Sequence, residues 1–164
     1  MNIIFLDIDG VLNCQDYYSS DRYNRENSTY PLSEIDPFRI KMLNEIIEKT
    51  NAKIVISSSW RHGRTIEEMR NIMNEVGFKG EIIDFTPTCR CGMCKRGNEI
   101  HKWIEDNKEL LGKHYHQFKS YVIIDDDSDM LYWQKDNFFL CDSFSGLTPN
   151  IAYKITNFFE GFKK

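Results

Sequence analysis

The chain begins Met1-Asn2-Ile3-Ile4-Phe5-Leu6-Asp7-Ile8-Asp9-Gly10-Val11-Leu12, and the reading of this stretch decides the fold class. Asn2 to Leu6 reads as the first strand, and its apolar run from Ile3 has no wet face, as expected of a strand buried on both sides in a parallel sheet. The run stops at two carboxylates, Asp7 and Asp9, followed by a glycine. Four further short apolar runs follow, at 53–56, 81–83, 120–124 and 137–140. Between them apolar residues recur at helical spacing, first as Phe38, Met42, Leu43, Ile46 and Ile47, then as Ile66, Met69, Ile72, Met73 and Val76. This alternation predicts an α/β protein with a doubly wound, mainly parallel five-stranded sheet and helices on both faces.

Local signals mark several boundaries. Thr65 and Glu68 have capping-box spacing, Gly77 is placed to stop that helix, and Thr148-Pro149 opens the last one. A third helix is expected after Gly97, burying Ile100, Trp103 and Ile104, and the last should turn Ile151, Ile155, Phe158 and Phe159 inward. Residues 13–36 form the one long irregular stretch, rich in Tyr, Ser, Asn, Asp and Arg, which reads as too polar for the core and as an active-site loop or minimal cap. With 164 residues and no repeat or linker, residues 1–164 are expected to form a single domain.

Composition excludes several classes. A net charge of -4 argues against a generally basic nucleic-acid coat, although Arg61, Arg64, Arg90, Lys95 and Arg96 could make a local phosphate track. The start has no basic region before its apolar run and lacks a cleavage site, so a signal peptide is not expected, and no stretch reaches the ~18 apolar residues of a membrane span. Five cysteines, three of them within 89–94, suit a reducing compartment better than a disulfide framework, and a cytoplasmic location is expected. No protein partner is indicated.

Ligands of open parallel sheets bind at the carboxyl ends of the strands. There the sequence places Asp7-Ile8-Asp9-Gly10, Ser57-Ser58-Ser59-Trp60-Arg61 and Asp125-Asp126-Asp127-Ser128-Asp129. Carboxylates gathered so closely repel unless a cation stands among them, and oxygen ligands with few neutral donors favour Mg2+. A carboxylate held beside such an ion can attack phosphorus, because the phosphoryl charge is then offset. A second carboxylate, Asp9, can protonate the leaving oxygen and later take a proton from water. Ser57 can donate to the transferring group, and Lys95-Arg96 can supply the cation.

Asp7-Ile8-Asp9-Gly10-Val11-Leu12 resembles the first motif of the haloacid-dehalogenase (HAD) superfamily in the form its phosphatases use. Ile54-Val55-Ile56-Ser57 resembles the second motif, Lys95 or Arg96 the third, and Ile123-Ile124-Asp125-Asp126 the fourth. Ser57-Ser58-Ser59-Trp60-Arg61, Arg96-Gly97-Asn98-Glu99-Ile100 with Trp103, Asp125-Asp126-Asp127 and Gly146-Leu147-Thr148 are similar to the family of HAD domains in Swiss Army Knife RNA repair proteins, over residues 2 to 150. The resemblance implies a Rossmann-like, HAD-like fold with a minimal cap and a phosphoric monoester hydrolase working through an aspartyl phosphate. It implies Asp7 as nucleophile, Asp9 as acid/base, and Mg2+ on the Asp7 carboxylate, the Asp9 backbone carbonyl and Asp126, with Asp125 nearby. Superfamily members that cleave carbon–halogen bonds lack the second Asp, so Asp9 argues for phosphate esters. The absence of a large cap would leave an open site able to admit a nucleotide or polynucleotide end.

Other readings compete at particular residues. Arg61 would either touch substrate phosphate or pair with Glu67 or Glu68 at the surface. Asp125, Asp127 and Asp129 imitate a calcium loop, but Met130 stands where that loop needs Gly and Asp136 where it needs Glu. A receiver-type phosphoacceptor domain would need its Asp where this chain has Ser57. Cys89, Cys91 and Cys94, in the Cys-rich stretch 86–96, are candidate Zn2+ ligands, with free thiols the alternative. Two further alternatives are a phosphatase of a small phosphorylated metabolite and a noncatalytic zinc or nucleic-acid binding module on the same fold.

Overall fold

A computed structural model describes residues 1–23, 29–89, 95–111 and 120–161. Five strands, β1 (Ile3–Leu6), β2 (Lys53–Ile56), β3 (Ile82–Phe85), β4 (Tyr121–Asp125) and β5 (Phe138–Leu140), form one sheet in the order β3-β2-β1-β4-β5. Every pairing is parallel. Among the described residues six α-helices accompany it: α1 (Gln15–Tyr18), α2 (Pro37–Thr50), α3 (Ile66–Glu75), α4 (Arg96–Asp106), α5 (Lys108–Leu111) and α6 (Pro149–Glu160).

The two faces of β1 explain why its sequence is continuously apolar. Ile4 and Leu6 enter one core with Leu43, Ile46, Met69, Met73, Ile155 and Phe159 from α2, α3 and α6. Ile3 and Phe5 enter the other with Ile100, Trp103 and Tyr121, where Phe5 meets Trp103 and Tyr121 edge-on at 5.3 and 5.7 Å between ring centres. Full burial of each such side chain contributes about 1.5–3 kcal/mol. Placing β1 centrally, with the chain running first to β2 and β3 and then returning to β4, makes the β1/β4 boundary the point where strand order reverses. In such sheets the crevice at the carboxyl ends opens there.

Helix boundaries follow their caps. Asp36 accepts from the Phe38 amide at 2.9 Å ahead of Pro37, and Thr65 and Glu68 make the reciprocal capping box expected of them. Thr148 caps α6. Helix α4 begins at Arg96, a turn-edge earlier than expected, with Gly97 inside its first turn. A Cβ on Gly97 would meet the Leu131 amide and the Gln134 side chain, so glycine lets α4 close onto the segment after β4.

The expectation that residues 13–36 are too polar for the core is corrected. Cys14, Tyr17, Ile35 and Asp36 are buried. The polar groups there are paired: Arg22 binds Asp36 at 2.8 Å and Asp16 at 3.0 Å, Tyr17 Oη donates to the Ser33 carbonyl, and Tyr18 Oη donates to Glu34. Pairing removes most of the cost of burying such groups. Among the described residues no helix is long and apolar enough to cross a membrane.

Candidate active site

Asp7 follows β1 and Asp125 ends β4, and the ladder between these strands extends to the Asp7 amide, which donates to the Ile124 carbonyl at 3.0 Å. This pairing brings the carboxylates together. One ligand oxygen from each of Asp7, Asp125 and Asp126 lies within 4.8 Å of the others, the one such acidic cluster among the described residues. Gly10, at φ +68°, permits the arrangement, because a Cβ there would overlap the Asp126 carboxylate.

The electrostatics of this trio are those of a site short of positive charge. Burial, then the charge of Asp7, pushes the Asp125 carboxyl up to about 7. Burial also raises Asp7, against a lowering hydrogen bond from Ser58 and the charge of Arg96. Asp126 is raised by burial and then by Asp7. Asp125 Oδ1 accepts from the Asp127 amide at 3.0 Å, while its buried Oδ2 has no hydrogen-bond partner and faces Arg96 Nε across 3.6 Å. A converging, all-oxygen donor set with an orphaned buried carboxylate oxygen fits a hard divalent cation.

Ser57 stands at the end of β2, its amide bonded to the Leu6 carbonyl at 2.9 Å. Its side chain is fully buried and the hydroxyl has no hydrogen-bond partner. Of the adjacent cations, Arg96 forms the ion pair with Asp125, whereas Lys95 is exposed as the N-cap of α4. The Arg96 amide is fixed by Asp129 Oδ2 at 2.8 Å.

Asp9 is exposed, outside the trio, and held by three donors: Asn13 Nδ2 at 2.8 Å, Trp60 Nε1 at 3.0 Å and Ser59 Oγ at 3.5 Å. Asn13 also accepts from the Gly10 amide at 2.9 Å, which ties the turn to the carboxylate. Neither Asn13 nor Trp60 stands out in the sequence as a partner of Asp9. The signal for Trp60 was its place in the Ser57-Ser58-Ser59-Trp60-Arg61 patch, where the pattern gives proximity to the strand end but not the direction of the indole.

Arg61 corrects an expectation. It is 5% exposed and does not pair with Glu67 or Glu68. Its guanidinium binds Glu99 at 2.7 Å and donates to the carbonyls of Ser57, Ser58 and Thr86 at 3.0, 2.6 and 3.0 Å. Those inward contacts stitch β2, β3 and α4 around Ser57, and Glu99 also receives the Cys89 amide at 3.0 Å. Among the cysteines, Cys89 is a half-buried free thiol. Cys91, Cys94 and Arg90 lie outside the described residues, and with them two of the three expected zinc ligands and part of the phosphate track.

A family model for the HAD domain in Swiss Army Knife RNA repair proteins matches residues 3–152. No curated protein and no solved structure matches the chain.

Proposed function

The chain belongs to the family of HAD domains in Swiss Army Knife RNA repair proteins, and on that premise we propose that it is a Mg2+-dependent phosphatase acting on a phosphate monoester at a nucleotide or nucleic-acid end. The observation that carries the reading is the convergence of Asp7, Asp125 and Asp126 beside Arg96 and the unpartnered Ser57 hydroxyl.

Mg2+ would be held by the carboxylates of Asp7, Asp126 and Asp125 and by the backbone carbonyl of Asp9, and when bound it would supply positive charge against the phosphoryl oxygens. An Asp7 carboxylate oxygen attacks phosphorus, the bond from phosphorus to the ester oxygen breaks, and Asp9 gives that oxygen a proton. Asp9, now a carboxylate, takes a proton from water as the water oxygen attacks the aspartyl phosphate. The bond between phosphorus and Asp7 breaks, releasing phosphate and restoring both carboxyl groups to their starting states. Arg96 and the Ser57 hydroxyl offset and bind the charge on the transferring group. Exposure of Asp9 favours an open site, within reach of a bulky leaving group, with residues 13–36 as its minimal cap.

Turnover of an aryl phosphate by the purified protein with Mg2+ tests the chemistry. Activity lost in Asp7→Asn is expected; no turnover of any phosphate ester, or full activity in Asp7→Asn, overturns the mechanism. A 3′-phosphorylated oligonucleotide left intact while a sugar phosphate is cleaved overturns the substrate.

A further inference from the structure

Beside Asp9 stands a group of side chains that this chemistry leaves unused. Tyr30 is 68% exposed, and its ring centre lies 6.1 Å from that of the buried Trp60, the planes inclined by 44°. Arg64 ties the two together. Its Nη2 donates to Tyr30 Oη at 3.1 Å and its Nη1 to the Trp60 carbonyl at 2.9 Å. The guanidinium carbon is 5.9 Å from the centre of the Tyr30 ring and 5.6 Å from that of Trp60. Trp60 in turn holds Asp9 through its indole N–H at 3.0 Å. A solvent-facing aromatic ring is thus anchored by its hydroxyl one indole away from the acid/base carboxylate.

A tyrosine kept only for packing would bury its ring; here the polar end is fixed and most of the side chain is left to solvent. Flat π surface next to a guanidinium suits a nucleobase, since every base has a face to stack and the cation adds attraction whatever the base. A phosphorylated sugar or glycerol lacks the flat ring and gains little from such a surface. We propose that Tyr30, braced by Arg64 and Trp60, stacks the base of the nucleotide whose phosphate is removed, so that the protein recognises a nucleic-acid end without regard to its sequence. This rests on the phosphatase reading above and names the part of the substrate that the open site grips.

The test compares wild type, Tyr30→Ala and Tyr30→Phe on a 3′-phosphorylated oligoribonucleotide, the same oligomer with an abasic last residue, and glycerol phosphate. Loss of one stacked base should raise KM of Tyr30→Ala for the first substrate about tenfold with kcat little changed, and Tyr30→Phe, which keeps the ring and loses only its tie to Arg64, should restore most of it. The effect should be confined to the base-bearing end. Equal effects on all three substrates, or no effect on the first, overturn the subsite. If the oligonucleotide phosphate is not released at all, the substrate reading falls by itself. The subsite is then decided by fluorescence anisotropy of the labelled oligomer on Asp7→Asn. An affinity about tenfold weaker after adding Tyr30→Ala upholds it, and equal affinity or no binding overturns it.

Discussion

Arg61 Nη2 and Glu99 Oε2 lie 2.7 Å apart in a buried ion pair that joins the segment after β2 to the first turn of α4. The pair is worth more to the site than to the surface, because three backbone carbonyls, including that of Ser57, share the same guanidinium. Arg61→Met leaves Glu99 buried without its cation, which should cost about 3–5 kcal/mol in urea unfolding. A direct phosphate contact predicts the opposite split: unchanged stability with a raised KM.

Ser57→Ala separates chemistry from folding in the other direction. A buried hydroxyl with no partner carries a desolvation cost, so its removal should leave stability equal or slightly higher. Turnover should nevertheless fall about 10²-fold, the order lost with one donor to a developing oxyanion. Thermal melting and steady-state kinetics on one preparation check both.

Asp9→Asn should slow alkyl phosphates by about 10²–10⁴-fold, because the leaving oxygen then has no proton donor. With a good aryl leaving group the first step survives and the second does not. Stopped-flow measurement should therefore show a burst of aryl alcohol approaching one equivalent, followed by slow release of phosphate.

Gly10→Ala forces a side chain into positive φ and into the Asp126 carboxylate. The backbone strain alone is of order 1–3 kcal/mol. Mg2+ is expected to raise the melting temperature of the wild type, and displacement of Asp126 should remove that gain. Calorimetric melts with and without Mg2+ measure both effects.

Metal-free protein should lose stability as pH rises through the acidic range. The unfolded chain gives up the Asp125 proton near 3.8, whereas the fold holds it to about 7, so the contribution is complete below 3.8 and fades as pH climbs to about 7. Asp7 and Asp126, also raised, act in the same sense. In chelator, the melting temperature should fall between about pH 4 and pH 7, less so in Asp125→Asn, and Mg2+ should restore most at the higher pH.

The sheet is legible in the sequence because it is encoded by apolar runs that need burial on both faces, and Lys53–Ile56 emerges with its predicted ends. Edges elsewhere move by a residue or more, as at Ile82–Phe85, where Asp84 pairs with Val55 in the ladder and its carboxylate accepts from Trp103 Nε1 at 2.6 Å. A partner contributed by α4 has no local sign near residue 84. Segment 13–36 was misread for the same reason: Asp36 is fully buried because Arg22 and Arg39 come to it, and its composition alone does not reveal them. Asp7, Asp125 and Asp126 were legible through strand-end placement, whereas the inward turn of Arg61 depends on Glu99 from a distant helix.

β1, which Asp7 follows, pairs with β4, and the two are separated along the chain by α1, α2, β2, α3, β3, α4 and α5. A ribosome must therefore synthesise all of those elements before the three acids can meet, and a chain cut short before β4 has no such pocket. Any cation-dependent activity would wait on this one long-range pairing, so it would report β1 meeting β4 and not the formation of local structure.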